Sequence, residues 1–223
     1  MYAKRGQEAM DKMGILQNFT GAAVHDHWFP YFSYEQVRHC LCNAHHLREL
    51  TFVKEQEGEK WAAHMKDLLL RATRAVEEHA EQGRLPSEVL SQIESEYTQI
   101  LKEGAEHHAH LPPLSRKRRG RQKQRTGKNL LDRLQAKRWY VLRFLYNFEI
   151  PFTNNQGERD IRMVKLKQKI SGCFRTLLGG QIFCRIRSYI STARKQGWNI
   201  WGALAEAITG PPKILGLEQS LSA

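Results

Sequence analysis

The chain has 223 residues, with 35 Lys or Arg against 23 Asp or Glu, a net charge of +12 and a pI near 9.7. That length allows one sizeable core in one or two domains, and no apolar run approaches the roughly 20 residues that a membrane span needs. The first residues, Met1-Tyr2-Ala3-Lys4-Arg5-Gly6, lack the apolar core of a signal peptide, so the reading is a cytoplasmic protein with reduced cysteines and a polyanionic partner, nucleic acid before any other.

Residues 6–13 read as a short helix closed by Gly14. The apolar run Phe19–Val24 reads as a buried strand ending at His25–Asp26, and residues 36–41 as a second strand running into a helix from Ala44 to Lys54. Trp61, Met65, Leu68, Leu69, Ala72 and Val76 recur at three- and four-residue steps, the stripe of an amphipathic helix that Gly83 ends. After Leu85-Pro86 a second stripe follows in Val89, Ile93, Tyr97, Ile100 and Leu101, with Pro86 suited to a first turn. Two stripes joined by so short a link predict a helical hairpin, and its apolar residues are core with no chemistry.

His107-His108-Ala109-His110 and Pro112-Pro113 break the pattern. The segment 116–128 then carries Arg116, Lys117, Arg118, Arg119, Arg121, Lys123, Arg125 and Lys128 with nothing apolar to bury, so it is expected at the surface. It is either a solvated loop or a strip that lies along a phosphate backbone and releases counterions there. A helix is expected from Asn129 to Phe148, with Leu131, Leu134, Leu142, Leu145 and Phe148 on its buried side.

Pro151 and Asn154-Asn155 stop that helix, and Asn155 with Glu158 three residues on fits a capping box opening the next. Glu158 and Arg162 lie one turn apart, and Arg159, Lys165, Lys167 and Lys169 follow closely. Two readings stay open: Glu158 caps the helix and pairs with Arg162, or it is a metal-binding carboxylate beside phosphate-binding cations, as DNA strand cutting and joining require. A turn is expected at Ser171-Gly172. A helix from Gln181 to Gln196 should bury Ile182, Phe183, Ile186, Tyr189, Ile190 and Ala193, with Gly197 as C-cap. Residues 198–208 read as a last short helix before Gly210-Pro211-Pro212 and a loose tail.

Several blocks in order resemble one family. They are Val24-His25-Asp26-His27-Trp28; Arg38-His39-Cys40 with Cys42-Asn43-Ala44-His45; Lys128–Leu134; Asn154 to Asp160; Lys167–Thr176; and Ile190–Gly197. The chain resembles the bacterial DDE transposases of the insertion sequence sixty-six type, from about residue 3 to about residue 210. The resemblance implies an α/β, ribonuclease H-like fold that is incomplete here, interrupted by a helical insertion and mostly α by residue count. Its parts would be residues 1–55 with the second acid, 56–128 as the insertion with its basic loop, 129–210 with the third acid, and 211–223 as a tail.

By that resemblance Asp26 and Glu158, 132 residues apart (158 − 26), are the second and third acids of the triad and ligands for Mg²⁺ or Mn²⁺. Such ions prefer carboxylate oxygens, and two of them about 3.5–4 Å apart activate the attacking oxygen and stabilise the leaving one. The first acid has no counterpart: the only acids before Asp26 are Glu8 and Asp11, both in the short helix. The chain therefore reads as the C-terminal part of a catalytic domain, inactive on its own. Cys42 and His45 match a Cys-x-x-His signature that organises the surroundings of the second acid, and Arg162 is assigned beside the third. His25 and His27 stand as supporting residues or plain strand ends.

Zinc is disfavoured. His39, Cys40, Cys42, His45 and His46 are dense, but a second knuckle is missing, and Cys173 and Cys184 have no sequence reason to join them. The expected partners are double-stranded DNA at transposon ends, held by Arg116, Lys117, Arg118, Arg119, Arg121, Arg159, Lys165, Lys167 and Lys169, and other transposase subunits, with no membrane. The competing reading is a non-catalytic basic DNA-binding protein. An RNA-binding helical protein is weaker, because most aromatics occupy buried helical positions instead of a stacking platform.

Overall fold

Helix α1 (Gln7–Met13) opens the part of the chain that this computed structural model describes, residues 6–112, 114 and 123–213. Gly14 ends it at a left-handed φ of 67°, donating its N–H to the Asp11 carbonyl. The first strand, β1 (Ala22–His25), is shorter than the apolar run predicted. Leu16–Asn18 form a 3₁₀ turn, and the Phe19 ring folds over the Cα of Gly21, so Phe19 is spent on a local contact and stays outside the strand. Strand β2 (Arg38–Leu41) runs parallel to β1 in the register Ala22 to Arg38, Val24 to Cys40 and His25 to Leu41. A parallel pair needs a crossover, and residues 26–37 supply it, including a 3₁₀ turn at Phe29–Ser33.

Helix α2 (Asn43–Phe52) leaves the end of β2 and widens into a π-turn at Val53–Glu57, which Gly58 stops at φ 69°. Helices α3 (Lys60–Glu78) and α4 (Ser87–Ala109) form the predicted hairpin, antiparallel with His64 against Glu103 and Arg71 against Glu96. Helix α4 runs further than predicted and takes in His107 and His108, because the buried His108 side chain turns inward to Glu59 at 3.2 Å. Leu50, Trp61, Met65, Leu68, Leu69 and Tyr97 meet Leu130 and Leu134 of α5 (Thr126–Ala136) in one core. The Tyr97 hydroxyl donates to the Leu134 carbonyl at 2.9 Å.

The single helix expected over 129–148 is broken. Helix α5 stops at Lys137, and α6 (Arg138–Leu142) then tightens into a 3₁₀ turn at Arg143–Leu145. Val141, Leu142, Phe144 and Leu145 are all buried, and one straight helical stripe cannot bury four residues in five.

The chain forms two compact units, and the division falls between Asn154 and Asn155. The second unit contains α7 (Asn155–Ser171), α8 (Leu177–Lys195) and α9 (Ile200–Thr209). Helix α8 starts earlier than expected because the Thr176 hydroxyl caps it, accepting from Gly179 N at 3.0 Å. Asn199 caps α9 in the same way through Gly202 N at 2.8 Å. Gly197 closes α8 at φ 68°, as its position predicts.

The face predicted for α8 is only partly buried. Ala193 is covered, whereas Ile182 and Ile186 are each 48 % exposed, with Phe183, Tyr189 and Ile190 between. The protein is mostly helical, its sheet has two strands among the described residues, and no helix there is long and apolar enough to cross a membrane.

Candidate active site

Asp26 follows the last residue of β1, and Cys42 follows the last residue of β2, so both sit at the carboxyl ends of adjacent parallel strands, where open α/β sheets place their ligands. Cys42 N donates to the His25 carbonyl at 2.9 Å and carries the ladder one step past the strand. Half-buried Asp26 accepts from Trp28 N through Oδ1 at 3.0 Å, an Asx-type turn that fixes the carboxylate at the strand end. Phe152–Asn154 crosses the same ends: Asn43 N donates to the Phe152 carbonyl at 3.0 Å, and Asn154 N to the Cys42 sulfur at 3.1 Å. Cys42 is 1 % exposed, so this thiol acts as a fixed acceptor in the wall. His45, in the first turn of α2, is half-buried.

The histidines beside Asp26 are fixed by two chains of contacts. Asn43 Nδ2 donates to the Val141 carbonyl at 3.1 Å, which leaves Oδ1 to accept from His46 Nδ1 at 2.9 Å. A neutral His46 protonated at Nδ1 has a bare Nε2, so His27 Nε2–H must donate across the 2.8 Å to it. Burial first, then Arg133, pushes the His27 pKa down to about 4; burial, then His27, pushes His46 to about 3, so both rings are neutral at pH 7.

The other chain runs from the Tyr34 carbonyl to His39 Nε2 at 3.1 Å, from His39 Nδ1 to His25 Nε2 at 3.0 Å, and from His25 Nδ1 to the Asp26 carbonyl at 2.5 Å. Carbonyls end it on both sides, so its three contacts need three protons, and two neutral rings carry two. Burial is the leading influence that lowers both pKa values and opposes the extra proton. His25 and His27 are therefore parts of a buried network. The sequence marks Asn43, His46 and Asn154 only as members of motif blocks and of the Cys/His cluster; the contacts they make are not legible there, apart from the helical spacing of Asn43 and His46.

Glu158 sits in the first turn of α7, as the sequence predicts, and is half-buried. Arg159, Arg162, Lys165 and Lys169 are exposed and follow one another at three- and four-residue steps, which makes one cationic stripe. Lys167 falls off that stripe and donates to Ser171 at 3.1 Å. Arg116, Lys117, Arg118, Arg119 and Arg121 lie outside the described residues. Asp26 belongs to the first unit and Glu158 to the second. Among the described residues no group of three or more His, Cys, Asp or Glu is placed to hold a metal ion.

A different carboxylate organises the second unit. Asp160 accepts from Lys195 Nζ at 2.5 Å, from Ser191 Oγ at 2.7 Å and from Gln156 at 3.2 Å, which ties α7 to α8. The Lys195 hydrogen bond, ahead of burial and Ser191, holds its pKa below the ordinary carboxylate value of 3.8. An acid whose folded pKa is depressed contributes stability above its unfolded pKa and loses it as pH falls through the folded one. Helix content followed by circular dichroism is therefore expected to fall below about pH 4, by an amount reduced in Asp160→Asn. Identical acid profiles for the two proteins would remove Asp160 from this role. With both partners partly exposed, the tie is worth about 1 kcal/mol at most.

The family model described as Transposase IS66 family matches residues 1–182. The blocks around Asp26, Cys42 and Glu158 fall inside the matched span, and Ile190–Gly197 lies beyond it. No curated protein matches the chain, and no solved structure does.

Proposed function

The chain belongs to the IS66 transposase family, and from that premise we propose that it works on double-stranded DNA at transposon ends in the cytoplasm, with Asp26 and Glu158 as the second and third acids of a ribonuclease H-like catalytic core. The observation that carries this reading is Asp26 at the carboxyl end of a parallel strand, beside Cys42, with Asn154 hydrogen-bonded to Cys42 four residues before Glu158 (158 − 154). Cys42 and His45 organise the wall around Asp26. Arg162 stands one turn after Glu158, and the stripe from Arg159 to Lys169 meets phosphates.

The donor set fits Mg²⁺ or Mn²⁺ in part. Carboxylate oxygens are the right type, and Asp26 Oδ2 has no hydrogen-bond partner among the described residues. When bound, such ions lower the pKa of the attacking oxygen and neutralise the leaving one, so strand cleavage and joining proceed without a covalent protein intermediate. A polypeptide of these 223 residues holds two of the three acids that this chemistry uses. By itself it should bind the ions weakly and leave DNA uncut.

Calorimetric titration with Mn²⁺ and a nicking assay on supercoiled DNA test the reading. The expected result is no saturation at millimolar Mn²⁺ and no nicking above that of an Asp26→Asn, Glu158→Gln double variant. Tight Mn²⁺ binding lost in Glu158→Gln would show a complete acidic site and overturn the inactivity. Failure to bind DNA at low salt would overturn the function altogether. DNA binding that survives both substitutions, without cleavage once the missing acid is supplied on a second chain, would favour the non-catalytic reading.

A further inference from the structure

At His27 the first unit opens a cleft of 690 Å³ between the crossover after β1 and helix α5. Its size lies within the roughly 300–1,000 Å³ range of small-ligand sites. One wall carries His27, Phe29 and Phe32, and the other Asn129, Arg133 and Lys137 of α5 and the residue after it. Phe29 is 78 % exposed at the rim, an unusual cost for a phenylalanine that only packs a loop.

The cations of the opposite wall are only partly spent. Arg133 gives Nη2 to Glu49 at 2.8 Å, while its Nε is buried without a hydrogen-bond partner. Lys137 Nζ stands 4.3 Å from the centroid of Phe32 and has no carboxylate partner among the described residues. The acid of the cleft, Asp132, is already held by Lys128 and by Gln124 at 2.7 Å, and hydrogen bonds from these two outweigh burial and keep it ionised. An aromatic face, a side-chain amide that spends one donor on the Gln124 carbonyl at 3.4 Å and two partly engaged cations in one cleft are the parts that recognise a nucleotide: stacking for the base, the amide for its edge, the cations for its phosphate.

Resting on the reading of the chain as a DNA strand transferase, we propose that this cleft takes an unpaired nucleotide of the DNA strand on which the chain acts. The base stacks on Phe29, Asn129 meets its edge, and Lys137 and Arg133 take the flanking phosphate. His27 lines the cleft and directly follows Asp26 in the chain, which puts the unpaired nucleotide one residue along the chain from the strand-end carboxylate.

Fluorescence anisotropy with a blunt duplex, and with the same duplex carrying a short oligoadenine overhang, tests this. The overhang duplex should bind roughly tenfold tighter, as one or two stacked bases predict. Phe29→Ala should abolish that advantage and leave blunt-duplex affinity and the thermal midpoint unchanged, whereas Phe29→Tyr should keep it. Equal affinity for both duplexes, or an advantage that survives Phe29→Ala, overturns the cleft while leaving the parent reading intact. Displacement of the overhang duplex by millimolar ATP overturns it in favour of a free-nucleotide site. Absence of all DNA binding overturns both.

Discussion

Trp61→Ala is expected to destabilise the first unit by about 4 kcal/mol, in the middle of aromatic-to-alanine losses in cores. Trp61 is 1 % exposed and stands where α3, α4 and α5 converge. A Cβ on Gly104 would meet the indole at 3.0 Å and Leu131 at 2.7 Å, so the ring fills its space with no slack. The indole N–H also donates to Glu59, a carboxylate only 2 % exposed whose pKa burial raises, with Glu57 beside it adding to the rise. Removing the indole leaves a cavity and deprives a buried carboxylate of its donor, and the two losses add. The π-turn at Val53–Glu57 is coupled to the same place, because Glu57 accepts from Gly127 N at 2.9 Å while Glu59 packs on the Cα of Gly127. Urea unfolding followed by circular dichroism should show a lower midpoint for the first unit, with Trp139→Ala, at a 51 % exposed position, as comparator. A Trp61→Ala loss no larger than that of Trp139→Ala would mean that the hub is misidentified.

The part of the fold that the sequence reveals is the part made by short-range pattern. The stripes Trp61–Val76 and Val89–Leu101 repeat with the helical period over enough turns to specify a hairpin, and the structure contains it. Strand β1 follows from an apolar run, but its start depends on where the Phe19 ring goes, and Gly21 decides that through space. The break at Lys137 is likewise invisible locally, since it serves the burial of Val141, Leu142, Phe144 and Leu145 against helices far away in the chain. Helix α8 shows the converse: a clear apolar stripe fixes a helix, but whether Ile182 and Ile186 are covered depends on how many helices pack there.

The candidate site divides in the same way. Asp26, Cys42, His45 and Glu158 stand out as an ordered set of motifs, and the family match covers all four. The contacts that fix Asp26 and its neighbours join residues separated by 19 positions for His27 and His46, 98 for Asn43 and Val141, and 112 for Cys42 and Asn154. No periodicity carries such information. Asp160 was legible only as one more charge beside Glu158, because Lys195 and Ser191 reach it from the next helix.

Asn43 is where these long-range contacts concentrate, and Asn43→Ala is expected to cost about 3 kcal/mol. The side chain is 1 % exposed and satisfies two buried groups at once, the Val141 carbonyl and His46 Nδ1–H. Each buried polar group left unpaired costs about 1–3 kcal/mol, so the loss exceeds that of one average hydrogen bond. The consequence for the site is larger than for the fold. Without Oδ1 nothing selects the Nδ1–H tautomer of His46, so its Nε2 no longer stands ready for His27, and the ring beside Asp26 loses its orientation. Asn43→Asp separates the two effects. The carboxylate still accepts from His46 but cannot donate to Val141, and its charge should raise the His46 pKa from about 3 toward the ordinary value of 6.5. Nitrogen chemical shifts of the His27 and His46 rings, measured through a pH titration, check this directly. The wild type should show one fixed tautomer for each ring, Asn43→Ala a mixture, and Asn43→Asp a raised His46 pKa. Unchanged ring signals in Asn43→Ala would mean that the His27–His46 contact holds itself, and that Asn43 only ties α2 to the Val141 segment.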